Sequence, residues 1–289
     1  MQIVLALLPD GSAVRRLRCA LQLCPAGGSA WKVWQVSDWT ALHREAAETA
    51  AALAIADPYD PSGTLQLSAF ASFRSAFPST PLLPYGDFHG RVRDAMRLSA
   101  VGMAEIVVRD QDDSPAAFAA VITALTAQPV GQAVLAEIEG MIPPRLAGVV
   151  AALLSTAGAT DPGQVARMYS RHRNTLREHL RAAGLPPVNK LIVWTRLFRA
   201  AHLLCDPSRT VEGVALALDF PSPSALRNQL QRYAGLTPQQ VRARGLAAVA
   251  ERFRQRHRAG AWDVDSIPLT AHEAPQSNTF VRERVCIAA

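Results

Sequence analysis

An internal repeat in the C-terminal half constrains this chain more than any other feature. Residues 165–186 and 214–238 run through the same order of residue types. Each copy opens on a Val-Ala pair (Val165-Ala166, Val214-Ala215), passes through a turn, and carries two leucines four residues apart (Leu176/Leu180, Leu226/Leu230). Each closes on Gly-Leu with a proline just beyond, Gly184-Leu185-Pro186 and Gly235-Leu236-Thr237-Pro238. From the Val-Ala pairs to the Gly-Leu pairs, equivalent positions lie 49 to 51 residues apart. Leucines at i and i+4 share a helix face, so each copy reads as a short apolar helix, a turn, and a second helix with one buried and one free polar face. That arrangement places a helix in the major groove of DNA.

Charge along the chain agrees with this reading. Residues 143–258 hold 18 Arg/Lys against 6 Asp/Glu, a net of +12. Residues 1–142 hold 10 against 14, and the last 31 residues hold 2 against 4. A mildly acidic half joined to a strongly basic one implies a polyanion partner for the basic half. The 289 residues suit two domains, and 49% apolar residues exclude wholesale disorder. No run of 18 apolar residues exists, so no membrane span is expected. Residues 1–8 are apolar but lack a basic flank and a small-residue cleavage site, and read as a first strand rather than a signal peptide. Cys19, Cys24, Cys205 and Cys286 have no metal-type spacing and read as reduced thiols of a cytoplasmic protein.

The basic half reads as helices throughout. Pro143-Pro144 opens a domain with an apolar helix over 145–157. Asp161-Pro162 starts the next, over 162–168, and Ser170 is placed to cap a helix ending at Gly184. Residues 188–204 form a buried bridging helix that Asp206-Pro207 ends. Thr210 caps a helix over 211–218, and Ser222 or Ser224 opens the last recognition helix, which ends near Ala234.

Over residues 145–244 these features resemble the AraC/XylS-type DNA-binding domain. Arg196-Leu197-x-x-Ala200-x-x-Leu203-Leu204 matches that family's Arg-Leu-x-x-Ala-x-x-Leu-Leu. Thr210-Val211-x-x-Val214-Ala215-x-x-x-Asp219-Phe220 follows its Thr-Val-x-x-Ile-Ala-x-x-x-Gly-Phe. Gly235-x-Thr237-Pro238-x-x-Val241-Arg242 follows its Gly-x-Thr-Pro-x-x-Tyr-Arg. Asp219, Val241 and the leucine pair Leu226/Leu230 depart from the pattern. An Asp tolerates a left-handed turn, so the fold is expected to survive. The resemblance implies a transcription regulator, usually an activator.

With the leucines facing the core, Asn174, Arg177 and Glu178 face outward in the first recognition helix, and Ser224, Arg227 and Asn228 in the second. The resemblance implies base contacts at these positions. Arg suits guanine O6/N7 and Asn suits adenine N6/N7, giving Asn174, Arg177, Ser224, Arg227 and Asn228 as the candidate base readers. Glu178 is left out because phosphates repel it. Arg171, Arg173, Arg181 and Arg232 suit phosphates, which orient without reading sequence. His172 and His179 share the first recognition helix without a third metal ligand and read as DNA-facing or solvated. Residues 245–258 read as a basic amphipathic helix, solvated or adding phosphate contacts, and the rest as a loosely ordered tail.

The acidic half alternates. Strands are expected at 3–8, 32–36, 52–56, 81–83 and 105–108, with helices at 13–23, 41–50, 65–77, 90–101 and 115–127. Five β/α units imply a doubly wound parallel sheet. Size and order resemble a response-regulator receiver domain: Asp57 follows the third strand, with Pro61 four residues on, as at a phosphoacceptor. Gly102 precedes Arg109 by seven, where the receiver has Gly and then Lys. The phosphorylation chemistry is otherwise depleted. Leu7-Leu8-Pro9 stands where acidic metal ligands belong, with Asp10 displaced. Tyr85-Gly86 replaces the Ser/Thr, and Arg109 replaces the Lys. Asp57 is therefore expected to cap the loop at Pro58 rather than accept phosphate. Gly27-Gly28-Ser29 is a loop and not a phosphate cradle.

The expected organisation is a flavodoxin/receiver-like α/β domain over 1–128, a linker helix over 129–142, an all-α double helix-turn-helix domain over 143–244, and a basic helix and tail over 245–289. The expected protein is a cytoplasmic regulator without cofactor, metal or catalytic site. Its expected partners are double-stranded DNA, RNA polymerase and a second copy of itself bound through the N-terminal domain. The alternatives are a phosphorylation-dependent response regulator using Asp57 and, further off, an enzyme with its site in the α/β domain.

Overall fold

The computed structural model describes residues 2–24, 30–127, 129–138, 140–155, 162–169 and 173–262. Five parallel strands, β1 (Gln2–Leu7), β2 (Trp31–Gln35), β3 (Leu53–Ala56), β4 (Leu82–Gly86) and β5 (Val107–Val108), alternate with helices. These are α1 (Gly11–Leu23), α2 (Trp39–Glu48), α3 (Leu67–Ala76), α4 (Val92–Ala100) and α5 (Pro115–Ala127). The strand order is β2-β1-β3-β4-β5, the doubly wound order in which the switch point falls between β1 and β3. Every residue of β3 and β4 is buried, because helices cover both faces. Leu17, Phe118 and Ile122 pack over Leu53, Ile55 and Leu83 on one side. Leu42, Phe70 and Phe73 pack over Leu5, Ala54 and Ala56 on the other. The expected α/β class holds.

The second half is helical: α6 (Pro129–Glu137), α7 (Pro144–Ser155), α8 (Pro162–Met168), α9 (Arg173–Ala182), α10 (Val188–Leu204), α11 (Val211–Ala217), α12 (Pro223–Gln229) and α13 (Pro238–Ala259). A π-helical turn, Leu230–Ala234, extends α12. The repeat is now physical. Helices α8 and α9 form one module, α11 and α12 the other, and α10 lies between them in sequence. Gly184 and Gly235, both at φ +65°, end the two recognition helices in the left-handed conformation that favours glycine.

The drift of the repeat also has a structural cause. Leu180 and Gly184 are four residues apart, but Leu230 and Gly235 are five apart. The π turn absorbs that extra residue, so the second glycine still closes its helix. Caps set the other ends: Thr210 accepts from the Gly213 N–H at 3.0 Å and Ser222 from the Ala225 N–H at 3.1 Å. Thr237 and Gln240 cap each other's backbone reciprocally at the start of α13.

Two segments differ from the sequence expectation. Residues 129–142 are no bare linker, since Val134 and Ile138 are 0% and 2% exposed within the helical core. Residues 245–258 are no solvated helix. At Gly245 (φ +72°, ψ −174°) α13 changes direction, and its second half carries Val249, Ala250 and Phe253 into the core at 0% exposure. Phe253 and Trp262 stack around Trp194, with ring centroids 5.2 and 6.5 Å away. The same stretch grips the ends of both recognition helices. Trp262 Nε1 donates to the Gly184 carbonyl at 2.8 Å and His257 Nε2 to the Ala183 carbonyl at 3.1 Å, while Arg256 Nε donates to the Tyr233 carbonyl at 3.0 Å.

The halves also meet directly. Asp206, fully buried between α10 and α11, accepts from Ser79 and Thr80, which precede β4. Arg209 donates to the Ser79 hydroxyl at 3.1 Å and to the Ala51 carbonyl at 3.3 Å. Arg242 of α13 closes the cluster by donating to the carbonyls of Leu204, Asp206 and Arg209.

Candidate nucleic-acid interface

In α9, Leu176 and Leu180 are buried, whereas Asn174, Arg177, Glu178 and Arg181 are exposed. Asn174, Arg177 and Arg181 stand at i, i+3 and i+7, one helix face. In α12, Leu226 and Leu230 are 0% exposed, and Ser224, Arg227 and Asn228 point outward. Arg232 is exposed on the π turn. Arg171 and His172 lie outside the described residues, as does the side chain of Arg173, which begins α9. Ser170, Gly27, Gly28, Ser29 and Cys286 lie outside them too.

Each module is braced from behind. Asp219 turns the chain between α11 and α12 at φ +52°, which a small polar residue tolerates. Arg196 of α10 secures that turn by donating to the Leu218 and Asp219 carbonyls at 2.8 and 2.9 Å while lying 4.2 Å from the Phe220 ring centroid. The Asp219 departure from the family pattern is thus accommodated as expected. In the first module His179 is half-buried and bonds the Tyr169 hydroxyl at 2.7 Å, tying α9 to the end of α8. It is a brace, not the free polar residue that the sequence suggests. Arg227 meets Glu212 of α11 at 3.0 Å, a pairing that the sequence spacing did not reveal.

A second cluster sits at the carboxyl ends of the strands, the usual ligand position of such sheets. Asp57 accepts from the Tyr59 N–H at 2.9 Å and from Arg109 Nη2 at 2.8 Å. Asp10, which caps α1 through the Ala13 N–H, lies 3.5 Å from Arg109 Nη1. Asp10 therefore reaches the site that the sequence placed it away from. Burial raises the Asp57 pKa despite the Arg109 charge. Beneath Arg109, buried Tyr85 donates to Asp113 at 2.7 Å, and Asp113 also pairs with Arg16. Arg109 takes up both carboxylates that a divalent cation would need. No group of three His, Cys, Asp or Glu placed to hold a metal occurs among the described residues, so this set does not fit the receiver's cation.

Two short helical pairs, each presenting a capped outward helix on a shared core, define a double helix-turn-helix domain. Residues 165–244 match the family model described as a helix-turn-helix domain, and the C-terminal domain is of the AraC type. Over 101 residues the chain is 34% identical to the HTH-type transcriptional regulator VirS of Mycobacterium tuberculosis, in strains CDC 1551 / Oshkosh and H37Rv. That alignment spans 35% of this chain and 29% of the relative, so the chain spans under a third of the length of these curated relatives. Among solved structures, RcsB from Salmonella enterica serovar Typhimurium bound to promoter rprA is similar at TM-score 0.36 and 14% identity, over 66% of this chain and 97% of that one. The RcsB response regulator of Salmonella typhimurium in another structure is similar at TM-score 0.34 and 16% identity, with the same coverage. Among the described residues, no helix is long and apolar enough to cross a membrane.

Proposed function

We propose that this chain is a sequence-specific transcription regulator that reads double-stranded DNA with α9 and α12. The observation that carries this reading is the pair of outward polar faces on a segment of net charge +12. Asn174, Arg177, Ser224, Arg227 and Asn228 contact base edges. Arg181 and Arg232, together with Arg171 and Arg173, meet phosphates. The regulator works in the cytoplasm as an activator that engages RNA polymerase. Its receiver-like domain mediates self-association rather than phosphorelay, because Arg109 already neutralises Asp57. Domain limits follow the cores: the α/β domain ends near 127, and α6 belongs with the DNA-binding domain.

The test is selection from random DNA with a fragment spanning 129–262, the helical core with its α6 and Trp262 contacts. An enriched motif, with affinity falling steeply as salt rises, is expected, because neutralised phosphates release counterions. A salt-independent affinity with no enriched motif would sink the reading.

A further inference from the structure

A cleft of about 990 Å³ opens where the two halves face each other, a volume at the upper end of small-molecule sites. One wall comes from the α/β domain, through Leu82, Met103 and Leu125. The other comes from the helical domain, through Ala133, His202 and Leu246. The walls are mainly apolar. The formal charges on the lining are placed away from the depth: Arg74 and Glu105 are exposed, and Glu137 is paired with Arg254 at 3.1 Å.

The polar groups further in are committed, with one exception. Thr80 donates to Asp206, and the Cys205 thiol donates to the Ala201 carbonyl. His202 is 4% exposed, and its Nε2 has no hydrogen-bond partner. A buried, unsatisfied polar atom costs on the order of 1–3 kcal/mol. The Nε2 atom has under 1 Å² of accessible surface, so an occupant of the cleft reaches it by a turn of the His202 ring toward the wall that the residue lines. Burial pushes the His202 pKa down, which favours the neutral ring, whose Nε2 serves as a single donor or a single acceptor.

We propose that this interdomain cleft binds a small, uncharged, mainly apolar molecule whose one hydroxyl or carbonyl oxygen hydrogen-bonds His202 Nε2. A charged ligand is disfavoured because its charge would be desolvated without an opposite charge in the depth of the cleft. Because the walls belong to different domains, an occupant also fixes their relative position beside the Asp206 cluster, which gives the α/β domain a means of acting on the second module. Binding itself is independent of the DNA-binding reading; only this consequence rests on it.

The experiment titrates the full-length chain with p-cresol and acetophenone, following the imidazole nitrogens by ¹H–¹⁵N correlation spectroscopy. Saturable movement of the His202 Nε2 signal is expected. His202→Phe keeps an aromatic ring but loses the nitrogen, and should weaken p-cresol binding about tenfold. Ala133→Trp pushes an indole into the cleft from the helical wall and should weaken binding, while His202 remains in place to report. Both variants are compared with the parent by thermal melting. An unmoved His202 signal at saturating probe overturns the proposal. So does unchanged affinity in folded Ala133→Trp, or binding only at a separate groove that Leu23 and Ala120 line between α1 and α5. DNA affinity measured on the same samples separates this failure from a failure of the regulator reading.

Discussion

Asp206 accepts the Ser79 backbone N–H at 3.0 Å and the Ser79 hydroxyl at 2.5 Å, joining the helical domain to the α/β domain across 127 residues of sequence. Both side chains are buried, so the junction is a sealed polar contact and not a solvated crossing. Asp206→Ala leaves the Ser79 and Thr80 donors without their acceptor and Arg209 without its nearby opposite charge. The expected loss of stability is roughly 3 kcal/mol, read by urea unfolding of the full chain. Faster proteolysis between the domains should accompany it, and parent-like unfolding would show that the junction carries no stability.

Asp57→Asn is expected to leave DNA affinity and promoter output unchanged, and acetyl phosphate with Mg²⁺ should add no mass to the parent protein. The motivating geometry is Arg109 Nη2 at 2.8 Å from Asp57. A folded Asp57→Asn protein dead for regulation would instead support the phosphorylation-dependent reading.

The two recognition helices should contribute separately. Arg177→Ala and Arg227→Ala are each expected to cost about 1–3 kcal/mol of specific binding and to relax preference at different base pairs. Footprints should place those positions about 10 base pairs apart. Arg181→Ala should weaken all sequences evenly and lower the salt slope by about 1. If both readout variants affected the same base pairs, the two-module reading would fail.

His43 predicts a pH dependence. It packs edge-on against Phe73 and Phe77, and burial lowers its pKa below the ordinary 6.5. The folded state therefore binds fewer protons than the unfolded chain as pH falls through about 6.5. This stability is present above that pH and is lost as acid protonates the unfolded form first. His43→Phe should flatten the stability slope between about pH 7 and 5, as measured by urea midpoints across that range.

Deleting 1–127 should weaken binding at paired natural sites far more than at one isolated site, because a dimer raises effective concentration at the second site. Gel-shift affinities on both kinds of site check this. An equal loss at both would remove self-association from the role of the α/β domain.

What the sequence made legible was local. Leu176/Leu180 and Leu226/Leu230 announce their helices through i, i+4 spacing, and Thr210 and Ser222 cap where their residue types suggest. The parallel sheet also follows from alternation, while its receiver-like arrangement was implied by the resemblance alone. The long-range partners were hidden. Nothing near Asp206 names Ser79, and Asp10 reaches Arg109 only through the geometry of the strand ends. One missed signal was present: Val134/Ile138 and Val249/Phe253 are also four apart. Their arginine-rich or short surroundings made them read as a solvated helix and a linker, although both pairs are buried in the helical core.

Trp262, His257 and Arg256 hold the ends of both recognition helices, and the bend at Gly245 turns the chain that carries them. Its backbone conformation is essentially restricted to glycine, so Gly245→Ala is expected to cost about 1–3 kcal/mol. On DNA, inserting one base pair turns the second target segment by roughly 36° about the duplex. A clamp of this kind does not follow such a turn. The chain would then act as a caliper, rejecting sites whose letters are right and whose spacing is wrong.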